Sequence, residues 1–305
     1  MHTKTDVDYS RGYETWLLQE AKARSPAIPT YCLSWTAPYW VGSYLTPAGV
    51  DYHLEYMRGV RDNINVTFEF AGIWNEDSWT ADYIQEFRAA LDSQGFSQTQ
   101  IVAVDGGTEI VPAMEKNQSL ADAIQIVGVH AFMPSAQDTT GARVAAMNKT
   151  YWDSENNVID GPMWPDAKHD TALEWVTNIL ENYLFQNITG TIECPLFHAW
   201  TQNLGRHNHG SMMFNDPWSG YYELGAPFWA QAQITQLTEI GWTMLPVGHG
   251  SGSYLGGVGM AGLAIVTFVP TPPNVAPSSL LSLCGAYIVY MLAGAGIARL
   301  YGLHY

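Results

Sequence analysis

Apolar and polar positions alternate along this chain with two periods, and the period switches at regular intervals. Residues 10–24 read as a helix, with Tyr13, Trp16, Leu17 and Ala21 on one face and Glu20, Lys22 and Arg24 largely off it. Pro26 and Pro29 then interrupt the chain. The short apolar run TYCLSW at 30–35 predicts a buried strand, and 51–61 returns to a helical pattern. Further apolar runs end near Trp74 (FEFAGIW), Val104 (IVAV), Val129 (IQIVGV) and Trp152 (TYW). Between the first two lies an amphipathic helix over 80–93, with Tyr83, Ile84, Phe87 and Leu91 on one face and Gly95 as its C-terminal stop. A helix is predicted over 170–185, a strand over 195–200 (PLFHAW) and a last helix over about 227–239.

The strand ends near 74, 104, 129 and 152 follow one another at the interval of βα units. Neither GxGxxG nor a Walker A motif occurs, so nucleotide-binding α/β folds lose support. The fold expected is therefore α/β, a (β/α)8 TIM barrel.

From Ile240 to Ala298 the chain carries no Asp, Glu, Lys or Arg. Residues 250–278 are rich in Gly, Val, Thr and Pro and read as β structure, and 280–298 is long and apolar enough to span a bilayer. Three readings of that last stretch stay open: a membrane anchor, a buried helix, or a non-native extension. The organisation expected is a barrel over 1–243, a β-rich segment over 244–278 and an apolar tail over 279–305.

Composition narrows the function. The net charge of −16 repels nucleic-acid phosphates and anionic membranes, so no nucleic-acid partner is expected. Twelve Trp and seventeen Tyr suit core packing first, and sugar-face contacts second. Cys32, Cys194 and Cys284 have no metal-ligand spacing. Four N-x-[ST] sequons, at Asn65, Asn117, Asn148 and Asn187, point to glycosylation on a secretory route. No apolar leader opens the sequence.

In a parallel barrel, active-site groups sit at the C-terminal strand ends. Those positions are Trp35, Asn75-Glu76, Asp105, His130, Glu155 and Trp200. A carboxylate directly after an apolar run is costly unless it has a partner or a task. Glu76 can instead cap helix 80–93, but Asp77 or Thr80 serves that purpose equally. Glu155, three strand units later, reads alone either as a solvated loop glutamate or as a site residue. Together the two glutamates form the pair that retaining glycoside hydrolysis needs, two carboxyl groups about 5–5.5 Å apart. Asn75 is placed to bond a sugar 2-hydroxyl, and His130 to contact substrate or Glu155, or to be a structural histidine. His207 and His209 make an HxH pair with no third ligand, so no metal site is expected. GxSxG is absent, which leaves a serine hydrolase little support.

These residues resemble a known family. GIWNE at 72–76 looks like the Asn-Glu motif of clan A glycosidases. The stretches YSRGYETWLLQEAKARSP (9–26), LSWTAPYWVG (33–42), FAGIWNEDSWTADYI (70–84), IVGVHA (126–131), YWDSENN (151–157), HAW (198–200) and NDPWSGYYELGAPFWAQAQITQLTEIGW (215–242) resemble, in order, glycoside hydrolase family 59, the galactocerebrosidase family. The resemblance implies Glu76 as acid/base, Glu155 as nucleophile, Asn75 as the neighbouring amide, and Trp35 and Trp200 lining a galactose pocket. It implies galactosylceramide and galactosylsphingosine as substrates, no cofactor, a lysosomal or secreted location and a saposin-type lipid-presenting partner. Membrane contact would come through the lipid substrate or through 280–298. Against the family pattern, the barrel lacks its first two strands, the resemblance fades near residue 260 at the start of a β-sandwich, and Asp153-Ser154-Glu155-Asn156 replaces Ser-Ser-Glu-Asp. Two other readings stay open, another clan A β-glycosidase such as a β-glucosidase, and an inactive sugar-binding fragment.

Overall fold

The computed structural model describes residues 3–11, 13–131, 135, 137–156, 169–198, 210–214, 217–236, 240–241, 243–244, 267–269 and 287–288. The chain divides into two compact units. The first comprises Met1–Phe132, Gln137–Glu155 and Gln186–Ile192, and the second comprises Met133–Ala136, Asn156–Phe185 and Glu193–Tyr305.

The first unit is built on a parallel sheet. Its strands are β1 (Tyr31–Cys32), β2 (Phe70–Ala71), β3 (Gln100–Gly106), β4 (Ile126–His130), β5 (Thr150–Asn156) and β6 (Ile188–Glu193), and their spatial order is the chain order. Register runs Phe70 with Gln100, Val102 with Ile126, and Ile126 with Thr150. The helices are α1 (Glu14–Arg24), α2 (Pro47–Ile64), α3 (Ala81–Ser93), α4 (Ile110–Lys116), α5 (Gln118–Ala123) and α6 (Thr140–Ala146). Strand, helix, parallel neighbouring strand is the repeat predicted from the spacing of apolar runs.

Helix α3 forms where its periodicity puts it. Tyr83, Ile84, Phe87 and Leu91 are all buried, and Thr80 caps the helix by accepting a bond from the Tyr83 amide at 3.2 Å. That cap frees Glu76 from the capping role. Strands β3 and β4 are buried nearly throughout, as strands covered on both faces must be. They share a core with Leu54, Met57, Phe68 and Phe87. A buried polar pair sits within it: His53 Nδ1 lies 3.0 Å from the Tyr44 hydroxyl, which donates to the Ile73 carbonyl at 2.9 Å. Burial pulls the His53 pKa down to about 4, so the ring is neutral at pH 7.

Helix α1 corrects one expectation. Its predicted apolar face is exposed: Tyr13 at 76%, Trp16 at 55% and Leu17 at 40%. The face that turns inward carries Thr15, Leu18 and Lys22 instead. Thr15 Oγ1 donates to the Tyr9 carbonyl at 2.6 Å, Leu18 packs on the core, and Lys22 Nζ pairs with Glu69 at 3.0 Å. Polar anchors set the rotation of this helix, which a hydrophobic pattern does not report.

The second unit contains α7 (His169–Gln186), the strands β7 (Phe197–His198), β8 (Met212–Met213) and β9 (Glu223–Leu224) of one three-stranded sheet, α8 (Ala226–Thr235), and β10 (Thr243–Met244), β11 (Thr267–Val269) and β12 (Tyr287–Ile288) of another. Trp175, Val176, Ile179, Leu180, Met213 and Ile234 form its core. Gln231 joins Trp175 Nε1 to the Glu193 carboxylate, with both bonds at 3.0 Å.

Of the strand expected over 195–200, Phe197–His198 is extended and pairs with Met212–Met213, Pro195 and Leu196 form a turn and bend, and 199–200 lie outside the described residues; the strand that follows β5 in the parallel sheet is β6. The β reading of 244–278 meets β11, which pairs antiparallel with β10 and β12. Apart from those short strands, the expected 244–278 segment and 279–305 tail lie outside the described residues. No helix among the described residues is long and apolar enough to cross a membrane.

Candidate active site

The site lies at the C-terminal ends of β2 to β5, and main-chain bonds fix it before any side chain is considered. After β2 the chain runs Gly72-Ile73-Trp74-Asn75-Glu76. Gly72 N–H donates to the Cys32 carbonyl at 2.8 Å, Asn75 N–H to Ser34 at 2.9 Å, and Glu76 N–H to Asp105 at 2.9 Å. Glu76 and Asp105 both adopt left-handed backbone, with φ of 49° and 57°. Such conformations cost about 1–3 kcal/mol each in non-glycine residues and gather where surrounding structure over-determines them.

Two irregularities aim the side chains. Between β3 and β4, Val104 faces Gly128 but Gly106 faces Val129, so Asp105 is an extra residue in its strand. Between β4 and β5, Val129 faces Asp153 but His130 faces Glu155, so Ser154 is extra. Each is a bulge beside the site, and the second puts Glu155 rather than Ser154 opposite His130.

The three functional side chains converge as a result. His130 Nδ1 lies 3.1 Å from Glu76 Oε1 and 3.7 Å from Glu155 Oε2. One donor-type atom from each of Glu76, His130 and Glu155 falls within 4.8 Å of the other two. In a flat sheet, strands three steps apart stand about 14 Å away from one another. The sheet therefore curls, and the long glutamate side chains reach inward to meet. Metal ligation would draw on these same atoms. The Glu76–His130 contact is already at hydrogen-bond distance, so the cluster reads as a proton-sharing one.

Behind His130 stands Asp105, fully buried, with Oδ1 3.8 Å from His130 Nε2. Burial alone pulls the His130 pKa down, but Asp105 and Glu76, aided by Glu155, outweigh it and raise the value above the ordinary one. On the far side of Asp105, burial and that carboxylate push the Tyr31 hydroxyl well up.

The remaining predicted residues divide. The side-chain oxygen of Asn75 is buried and has no hydrogen-bond partner among the described residues. Trp35 is 61% exposed, and its carbonyl accepts from Trp74 Nε1 at 3.3 Å. Trp200 lies outside the described residues. Of the sequons, Asn65, Asn148 and Asn187 are exposed, whereas Asn117 is half-buried and caps α5 by accepting from the Leu120 amide at 3.1 Å. Cys32 is a free, buried thiol. Sequence reasoning placed Asp105 at a strand end but gave it no role. Its signal was an acid closing the apolar run IVAV.

Gly72 guards this arrangement. A Cβ there would collide with the Tyr31 hydroxyl and come within 2.6 Å of Asp105 Oδ2. Gly72→Ala is therefore expected to lose about 1–3 kcal/mol of stability, read as a lower urea midpoint at unchanged slope.

A curled parallel sheet of successive βα units, with paired carboxylates at its C-terminal edge, is the arrangement of the (β/α)8 glycosidase class. Solved structures share the fold: SrfJ from Salmonella typhimurium, with TM-score 0.67, 16% identity and coverage of 84% of this chain and 62% of that one, and the endo-β1,6-glucanase BT3312, with TM-score 0.64, 13% identity and coverage of 85% and 65%. The family model for glycosyl hydrolase family 59 matches residues 1–236, and the chain belongs to that family. Galactocerebrosidase of Danio rerio is 33% identical over 266 residues, covering 84% of this chain and 38% of that protein. The Homo sapiens galactocerebrosidase is 31% identical, covering 84% and 37%. The chain thus spans well under half the length of the curated relatives it matches.

Proposed function

We propose that this chain carries the catalytic centre of a retaining β-galactosidase acting on galactosylceramide and related galactosphingolipids. The observation that carries the reading is the approach of Glu76 and Glu155 to within 4.8 Å. Retention requires carboxyl groups about 5–5.5 Å apart, whereas inversion leaves about 6.5–9.5 Å for a water between them. The galactolipid specificity rests on the family and on the names of its relatives.

Glu76 protonates the glycosidic oxygen while the Glu155 carboxylate attacks the anomeric carbon. The C–O bond to the aglycone breaks, and a glycosyl ester forms on Glu155. Water then attacks the same carbon, gives its proton to Glu76, and releases Glu155. The unpartnered Asn75 oxygen is suited to accept from the sugar 2-hydroxyl, a bond that strengthens as positive charge develops on the ring. Trp35, exposed after β1, offers an apolar face suited to a sugar ring. In this reading the protein works in lysosomes or is secreted, carries glycans on its exposed sequons, and receives its lipid from a saposin-type protein.

The test is a panel of aryl β-glycosides followed by NMR of the first-formed anomer. A preference for galactosides with β product first is the expected result. A glucoside preference reassigns the sugar, α product first overturns retention, and no turnover of any member points to a sugar-binding fragment.

A further inference from the structure

We propose that Asp105 is a positioning residue whose buried carboxylate holds a proton on His130 Nε2, so that the opposite ring nitrogen is presented to Glu76. The inference rests on the acid/base reading of Glu76 for its consequence, but not for its geometry.

Asp105 is fully buried, and neither of its carboxylate oxygens has a hydrogen-bond partner among the described residues. Nor does His130 Nε2, which is the polar atom 3.8 Å away. A buried carboxylate without a partner is costly, and a ring N–H directed at it offsets that cost. The same residue also fixes Glu76 through the main chain, since the Asp105 carbonyl accepts the Glu76 amide at 2.9 Å. Asp105 thus holds the acid/base by its backbone and the ring beside it by its side chain. The bulge and the left-handed φ of 57° bring both about in one residue.

The consequence follows from counting protons. With Nε2 protonated, Nδ1 and Glu76 share one further proton across 3.1 Å. Either Glu76 donates to Nδ1, or Nδ1 donates to the Glu76 carboxylate. Both arrangements carry the same charge, so the shared proton belongs to the pair rather than to the ring or the carboxyl alone. The groups facing His130 are Glu76 after β2, Asp105 on β3 and Glu155 on β5, with Tyr31 of β1 on the far side of Asp105. All three carboxylates favour keeping the shared proton, and Asp105 does so from a position that no substrate needs to occupy.

The experiment follows the imidazole nitrogens of His130 by NMR across pH in the full chain, with His130→Gln identifying the signals. The expected result is a neutral ring protonated on Nε2, and a titration midpoint that falls by about one unit or more in Asp105→Asn. The basic limb of kcat/KM moves to lower pH by the same amount, and the acidic limb stays in place. A ring protonated on Nδ1 with bare Nε2, or a midpoint unmoved in Asp105→Asn, overturns the proposal. A purely structural Asp105 would lower the rate at every pH and leave both limbs in place. Should Asp105→Asn not fold, Tyr31→Phe removes the hydroxyl that lies beside the same carboxylate. The midpoint then rises, and an unchanged or lowered midpoint overturns the proposal. The NMR titration needs no turnover, so failure of the glycosidase reading leaves it interpretable.

Discussion

Glu155→Gln is expected to lower kcat/KM by a factor on the order of 10⁴–10⁶ while leaving the fold intact. The amide has the shape of the carboxylate, so the loss isolates one property, the capacity to form a bond to the anomeric carbon. Glu155 reaches its place through the bulge at Ser154, and the Ala131 amide donates to its carbonyl at 2.7 Å. Neither feature depends on the charge of the side chain. A 2-fluoro galactosyl inactivator, whose second step is slow, should add the mass of one sugar to the unmodified chain and none to the variant. Peptide mapping should place that sugar on 151–156. Undiminished labelling of Glu155→Gln, or a label on another carboxylate, would falsify the nucleophile assignment. A variant that loses turnover together with its near-ultraviolet circular dichroism would show a folding defect, which separates the two causes.

The legible part of the site was its spacing. Apolar runs separated by amphipathic stretches located β2 to β5, and the residues after each run supplied Glu76, His130 and Glu155. Geometry finer than one residue was not legible. Two bulges decide which side chains face one another, and nothing in IVAVDG or TYWDSEN separates a bulged strand from a regular one. The short helices α4, α5 and α6 were missed because six or seven residues give too few turns for a periodic signal. The helix α1 was found but rotated, because its anchors are Thr15 and Lys22 rather than apolar residues.

The sequons carry a related lesson. Asn65, Asn148 and Asn187 all take left-handed backbone, with φ of 57°, 57° and 58°, in the turns that follow α2, α6 and α7. Asparagine is favoured there over other non-glycine residues for its own conformational reasons. Part of the sequon pattern therefore has a source in helix termination, and glycosylation needs a direct mass measurement.

Glu76→Ala is expected to separate the two halves of the reaction. Loss of the proton donor costs about 10²–10⁴-fold with a poor leaving group such as a lipid alcohol. With a nitrophenyl leaving group, which departs without protonation, the first step should survive and the glycosyl ester should accumulate as a burst. Its breakdown is then slow, because no base activates the water. Azide needs no base, and the side chain removed leaves room for it at a position already 60% exposed. Azide should therefore restore turnover and give the β-galactosyl azide, with configuration retained. The basic limb of the pH profile should vanish together with the group that produces it. Rescue giving the α-azide would place the nucleophile on the wrong face, and an unchanged basic limb would assign that limb to His130 alone. The second result bears on Asp105 as well, since a proton shared between ring and carboxyl cannot titrate unchanged once the carboxyl is gone.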